Sequence, residues 1–359
     1  MTINAIGNRT ARVALIGCGQ IAAPHVQTLL TDCGSVELHF CDGNQDAARA
    51  LAAKTGAAPV FHLDAATMLE TVNPDAVFVL TPPTSHYALA ELALASGAHT
   101  LVEKPFTMSV AEAEALYAQA DQRGLQLCVD HSNLYMANVV AGLELLASGA
   151  VGRPLHFHCF YGHAEKGGSI PYENPEHWAY RMPGGVLLNL VSHPASLLVE
   201  MIGTPQEVIA RRASRNVMPG DIADSVSVMV DTGDAYGTLA ISMAHGNHYR
   251  HATLWCEGGT LFFDLTRQTF VASKHRGPIG LVPKMLGGVQ MGIAQARETV
   301  EIGAKVATKR MKREPGVRAL AQAFVESVRA GSEPPVSRAN VLGVARIQEE
   351  ALETAGVSA

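Results

Sequence analysis

Val13-Ala14-Leu15-Ile16-Gly17-Cys18-Gly19-Gln20-Ile21-Ala22 is a short apolar run that breaks into a glycine-rich turn and continues as a helical pattern. A strand buried on both faces reads as an unbroken run of this kind, not as an alternation. Gly17 permits the tight turn out of the strand, and Gly19 lets the backbone approach a pyrophosphate. Gln20 and Ile21 complete the turn, and Ala22 is the small residue needed where helix and strand pack closely. The helix that follows turns free N–H groups and its positive dipole end toward the phosphates.

A second apolar run, Val36 to Cys41, ends at Asp42, at about the distance where an acid binds the ribose hydroxyls of a dinucleotide. A carboxylate there repels a 2′-phosphate, and no arginine follows it before Arg49. NAD is therefore expected, and NADP is disfavoured.

The chain has 359 residues, enough for two domains with full cores. It is 48% hydrophobic and 17% charged with a net charge of −6, which describes a globular protein and gives no reason to expect nucleic acid. The first ten residues lack a signal-type apolar core, and no run has the length of a membrane span, so membrane association is not expected. The six cysteines have no CxxC or zinc spacing and suit a reducing cytoplasm. The 15 histidines are scattered, and no metal site is expected.

From Arg12 to about Asp130, apolar strands at 59–61, 76–80, 100–102 and 126–129 alternate with alanine-rich helices, and Gly56, Gly97 and Gly124 stand where helices should stop. Six strands joined by helical crossovers imply a doubly wound parallel sheet of Rossmann type. Beyond about residue 150 the texture becomes strands at 155–161, 208–214, 224–231, 236–244, 252–257 and 260–265, with hairpin signals at 231–234 and 257–260. The expected fold class is α/β: a dinucleotide domain over 1–130, then an α/β domain over 131–359 with a large, mostly antiparallel open sheet. One helix, about Val186 to Ile202, interrupts that sheet, and helices over 318–330 and 338–354 close the chain, with the last expected to pack back on the first domain. The segment 274–313, rich in glycine and methionine with a basic cluster at Lys309, Arg310, Lys312 and Arg313, reads as a solvated insertion or an oligomer contact, the alternative being a membrane-surface helix or flap.

Ligands of open α/β sheets bind beyond the carboxyl ends of the strands. Besides the glycine turn, two loops qualify. Thr81-Pro82-Pro83-Thr84-Ser85-His86 takes an extended, proline-held path suited to the nicotinamide ribose, with Ser85 doubling as a helix N-cap. Glu103-Lys104-Pro105 puts a lysine at a strand end, where it can donate to a substrate oxygen or pass a proton, beside an acid that can accept from the cofactor. In the second domain, Asn189 and His193 lie one turn apart on one face of the helix, with Pro194 disturbing that turn.

Glycine turn with His25, Glu103-Lys104-Pro105, and Trp178 through His193 together resemble the Gfo/Idh/MocA oxidoreductases over nearly the whole chain. The resemblance implies a substrate held over the nicotinamide and oxidation of a hydroxyl of a sugar, polyol or sugar derivative, or the reverse. Carried over by position, Lys104 is similar to the active-site lysine and His193 to the active-site histidine, and the open sheet face to one that makes homodimer or homotetramer contacts. The family's usual aspartate a turn before the histidine is Asn189 here; an amide orients a hydroxyl but cannot take its proton. The expected site is then Lys104, His193 and Asn189 for catalysis, with Tyr161, Trp178 and Arg181 at the substrate. Gly17, Gly19, Gln20, Ile21, Asp42, Thr81, Pro82, His86, Glu103 and Lys104 are expected at NAD. Two other readings keep the cofactor: a glycosidase that oxidises its substrate only transiently, and a regulator that binds NAD without turnover.

Overall fold

The computed structural model describes residues 3–163, 176, 178–218, 223–244, 248–274, 281–308 and 315–357. The basic cluster at Lys309, Arg310, Lys312 and Arg313 lies outside them. The chain divides into two compact units, Met1–Ser132 with Arg313–Ala345, and Asn133–Lys312 with Arg346–Ala359.

The first unit is built on six parallel strands: β1 (Ala11–Ile16), β2 (Val36–Cys41), β3 (Val60–His62), β4 (Ala76–Val79), β5 (His99–Val102) and β6 (Leu127–Val129). Their order, β3-β2-β1-β4-β5-β6, reverses at β1 and β4, the doubly wound arrangement. Five helices join them: α1 (Ala22–Thr31), α2 (Gln45–Thr55), α3 (Ala65–Val72), α4 (His86–Ala95) and α5 (Val110–Arg123). Every residue of β4 and β5 is buried, as strands covered on both faces must be. Asn44 caps the start of α2 by accepting from the Asp46 and Ala47 amides, and left-handed Gly56 and Gly124 end α2 and α5.

The second unit carries α6 (Ala137–Ala147), β7 (Pro154–Gly162), α7 (Gly185–Ile202), β8 (Glu207–Ala213), β9 (Ser225–Asp231), β10 (Tyr236–Ser242), β11 (Tyr249–Cys256), β12 (Gly259–Asp264), β13 (Thr269–Lys274) and α8 (Leu281–Ala307). The seven strands run in the order β13-β12-β11-β7-β10-β9-β8, antiparallel except for the β7–β10 pair. One face alternates inward, with Phe157, Cys159, Tyr161, Val228, Leu239 and Leu254 each at most 1% exposed. α7 lies on this face, close enough that a Cβ on Gly237 would sit 2.5 Å from Leu198. The opposite face carries Ile209, Met229 and Trp255, 44%, 45% and 38% exposed.

Two features go beyond the sequence reading. Residues 281–307 of the segment after 274 form α8, and a further strand, β13, precedes it. The chain also returns to the first unit after residue 312. α9 (Pro315–Ala330) buries Val317, Leu320, Phe324, Val325 and Val328 in the first unit, where it contacts α1. The division between units then falls inside α10 (Arg338–Thr354). No helix among the described residues is long and apolar enough to cross a membrane.

Candidate functional site

In the first unit the glycine turn leaves β1 at Gly17 with φ +96. A Cβ there would lie 2.8 Å from the Leu80 backbone at the end of β4, so glycine is required both by conformation and by packing. Gly19 differs: a Cβ would meet nothing within 4 Å, and the space above this backbone is open. Ile21 ends the turn and α1 starts with no side-chain cap; the Ala22 amide donates to the Gly19 carbonyl at 3.2 Å and Pro24 has no N–H, so the Ala23 amide is the one in this first turn offered to another acceptor. Asp42, at the end of β2, accepts from the Cys18 amide at 2.8 Å and the Asn44 amide at 2.8 Å. Those two bonds fix its carboxylate beside the turn while leaving the residue partly exposed. Open space, a helix start without a side-chain cap and an oriented acid fit the diphosphate and ribose of a dinucleotide.

The loop after β4 is tied together by hydroxyls. Ser85 Oγ donates to Thr81 Oγ1 at 2.7 Å and lies 2.9 Å from the Pro82 carbonyl, so it does not cap α4 as its position suggested. Thr81 and Pro82 keep exposed surface. His86 does not: it is fully buried, with Nε2 2.7 Å from the Thr81 carbonyl and Nδ1 2.7 Å from the Pro105 carbonyl. Expected at the cofactor, its ring is instead turned inward and ties the loop after β4 to the loop after β5. A neutral imidazole has one N–H and can satisfy only one of these carbonyls at a time. Burial pushes its pKa down while the two carbonyls pull it up.

Glu103 and Lys104 follow β5, and the Lys104–Pro105 peptide is cis. The Lys104 amide donates to Glu103 Oε2 at 2.8 Å. Burial raises the Glu103 pKa, and the charge of Asp130 raises it further. Lys104 is pulled both ways: burial lowers its pKa, and the Glu103 and Asp130 charges partly restore it, with the net shift downward. A lysine so placed gives up its proton more readily than one in water.

In the second unit α7 carries Asn189, buried, and His193, half-buried, one turn apart as the spacing required. Pro194 lies inside the helix, and Ser196 Oγ donates to the His193 carbonyl at 2.9 Å. Tyr161 of β7 is not a surface group awaiting substrate. It is 1% exposed, stacks on the His193 ring at 6.2 Å and 17°, and accepts from Asn133 Nδ2 at 2.6 Å. Burial raises its phenol pKa well above the usual range. The Arg250 guanidinium lies 5.6 Å over the same ring, because the β11–β7 register sets Arg250 opposite Tyr161. His163 and His248 follow, edge to face at 4.5 Å. Asn133, His163, His248 and Arg250 were missed by the sequence reading: strand pairing brings Arg250 to Tyr161, a 3₁₀ turn brings Asn133, and His163, two residues on, carries the contact to His248. Trp178, half-buried, opens the 3₁₀ turn Trp178–Arg181, and exposed Arg181 pairs with Glu176 at 3.3 Å. An apolar cavity of about 220 Å³ also touches α7, but Tyr180, Met182, Leu187, Arg212 and Leu352 line it, not Asn189 or His193.

Residues 11–131 match the family described as oxidoreductase family, NAD-binding Rossmann fold, and residues 141–262 match the GFO/IDH/MocA C-terminal domain. Inositol 2-dehydrogenase 1 of Saccharopolyspora erythraea is 31% identical over 157 residues, 43% of this chain and 47% of that protein. UDP-N-acetylglucosamine 3-dehydrogenase of Acidithiobacillus ferrooxidans is 33% identical over 143 residues, 40% and 42% of the two chains. The chain thus spans about half the length, or less, of these two curated relatives. Among solved structures, the WlbA dehydrogenase from Bordetella pertussis in complex with NADH and UDP-GlcNAcA superposes with TM-score 0.78 at 22% identity, covering 98% of this chain and 97% of that one. Levoglucosan dehydrogenase, in complex with NADH and levoglucosan, gives 0.74 at 17% identity, with 97% and 98% covered. At these identities the likeness is one of fold.

Proposed function

The chain belongs to the GFO/IDH/MocA oxidoreductase family, and from that premise we propose that it is an NAD-dependent dehydrogenase. Its reaction moves a hydride between nicotinamide and a hydroxyl-bearing carbon of a sugar, polyol or sugar derivative, the class named in the relatives above. The observation that carries the reading is the turn at 17–22, which leaves open backbone at Gly19 and a start of α1 with no side-chain cap, beside the fixed carboxylate of Asp42.

NAD, when bound, supplies the hydride acceptor. The chain's own groups do the rest. Gly17, Gly19, Gln20 and Ile21 offer backbone to the diphosphate, Asp42 accepts from the ribose hydroxyls, and Thr81, Pro82 and Glu103 border the second ribose. Lys104 Nζ holds the substrate oxygen and takes its proton, a role favoured by the downward pull of burial on its pKa. In the second unit the candidate groups for the hydroxyl are His193, whose ring Tyr161 stacks on, and Asn189, which can orient a hydroxyl without accepting its proton. Trp178 and Arg181 are the candidate substrate contacts that remain at the surface of the second unit. The open sheet face, with Ile209 opposite Met229 and Trp255 exposed in another row, supports a second copy of the chain as its cover. Six buried free thiols support a cytoplasmic location.

The test has two stages. Calorimetry with NAD and NADP should show NAD binding more tightly. Absorbance of NADH should then rise with at least one member of a panel of polyols, sugar acids, amino sugars and nucleotide sugars. Folded protein that gives no heat with either coenzyme overturns the proposal. Light scattering that finds a monomer at working concentration overturns the assembly.

A further inference from the structure

Three buried side chains of the first unit converge from separate elements. Glu103 follows β5, Asp130 follows β6, and His25 belongs to α1. One carboxylate oxygen of each acid and one ring nitrogen of His25 all lie within 4.8 Å of one another. Glu103 is 8% exposed, and Asp130 and His25 are fully buried. His25 Nε2 stands 3.1 Å from Asp130 Oδ2 without hydrogen-bond geometry, and among the described residues neither His25 nitrogen nor Asp130 Oδ2 has a hydrogen-bond partner. Asp130 Oδ1 accepts from the Ser132 amide at 3.1 Å, and Glu103 Oε2 from the Lys104 amide. The His25 ring is held edge-on to Phe78 at 5.5 Å.

Two carboxylates this close, out of water, do not both stay charged unless enough positive charge faces them. Their candidate counter-charge is Lys104, next in the chain to one of them. The other titratable rings acting on Lys104 are His86 of α4 and His131, both buried, and burial lowers the pKa of each. Neither therefore supplies positive charge near neutrality.

We propose that Asp130 is a positioning residue: its carboxylate, set against Glu103 in the pocket that His25 closes, keeps a proton on Glu103, and this proton sets how readily Lys104 gives up or accepts its own. The inference rests on the assignment of Lys104 to the substrate oxygen. During alcohol oxidation the proton leaving the hydroxyl goes to Lys104 Nζ, the hydride leaves with the coenzyme, and the remaining carboxylate charge stabilises the new ammonium. Asp130 touches neither substrate nor coenzyme in this scheme and acts only through Glu103 and Lys104.

The experiment is an infrared pH titration of the whole protein, with no substrate needed. Wild type should show a carboxylic-acid C=O band at pH 7 that titrates out at about 8. Glu103→Gln should lack the band. Asp130→Asn, checked for fold by circular dichroism and NADH binding, should move its titration down by about one pH unit or more, because the repelling charge is gone. With a substrate found by the panel above, the corresponding limb of the kcat–pH profile should move with the band. Wild-type protein without the band at pH 7, or an Asp130→Asn variant whose band and profile stay in place, overturns the inference. Should Asp130→Asn not fold, the wild-type and Glu103→Gln spectra decide alone. A normal band in protein that reduces NAD with no substrate would sink the dehydrogenase reading and leave the Glu103 proton standing.

Discussion

The two units solve the problem of building a site in opposite ways. In the first, a sheet buried on both faces offers only the ends of its strands, and every candidate group (Gly17, Asp42, Thr81, Lys104) sits in a loop just beyond one. Backbone position decides the chemistry there. In the second, the candidates lie on a helix and on the inward face of a sheet, and side-chain stacking decides it: Tyr161 under Arg250 and against His193. The difference teaches where each is fragile. The first unit depends on charges hidden in a tight interior, the second on the alignment of rings.

The hardest blow to this contrast is at Lys104. Lys104→Met should leave NADH binding within a few-fold of wild type and lower turnover roughly 100- to 10,000-fold, as expected for the loss of a positioned acid–base group. Equal losses in binding and turnover would mean the lysine builds the pocket and does no proton chemistry.

Acid should expose the hidden charges. His131 accepts a proton at about 6.5 in the unfolded chain, but burial pushes its folded pKa down to about 4. Between those values the unfolded state binds more protons, so stability falls as pH falls, and below about 4 this loss stops. The whole span amounts to about 3 kcal/mol. Urea unfolding at several pH values checks it, and His131→Gln should flatten that slope. Glu103 works in the opposite sense, since its raised folded pKa removes stability as pH climbs toward about 8. The half-buried histidines of the second sheet, His156, His158 and His251, shift downward too, but with water at hand their effect should be smaller.

A subtler change sharpens the second half of the comparison. Asn189→Asp puts a carboxylate one turn from His193, which favours the imidazolium and should raise the pH of the His193 limb in kcat by about one unit. A profile that does not move separates the two side chains. Least of all should follow from Arg181→Ala. Its pairing with Glu176 is fully in solvent, so melting should stay within about 0.5 kcal/mol of wild type. A large rise in KM with unchanged kcat would instead give Arg181 a place at the substrate.

Much of the first unit was readable in order along the chain, because a nucleotide turn is contiguous: strand, glycines, helix, and an acid a fixed distance on. The helix over 185–202 was equally plain from its apolar length. What escaped was of two kinds. α8 hid because its apolar residues do not all face inward: Val289, Ile293 and Val300 are 58%, 64% and 72% exposed, and glycines interrupt it. The Glu103, Asp130 and His25 cluster, and the ring group at Tyr161, hid because their members meet only after strands pair and helices pack. Local pattern carries no signal for such meetings. His86 shows the converse error: a loop position suggested contact with ligand, but packing turned the ring inward.

α9 has a consequence for the order in which this protein can be made. Its Phe324 fills the interior beside Phe78, and Arg329 gathers the carbonyls of Gly7, Arg9, Cys33 and Ser35. A ribosome delivers that helix only after the whole seven-stranded sheet has emerged. The first unit, begun first, therefore cannot close its core until most of the second has been made, because Phe324 arrives after residue 312.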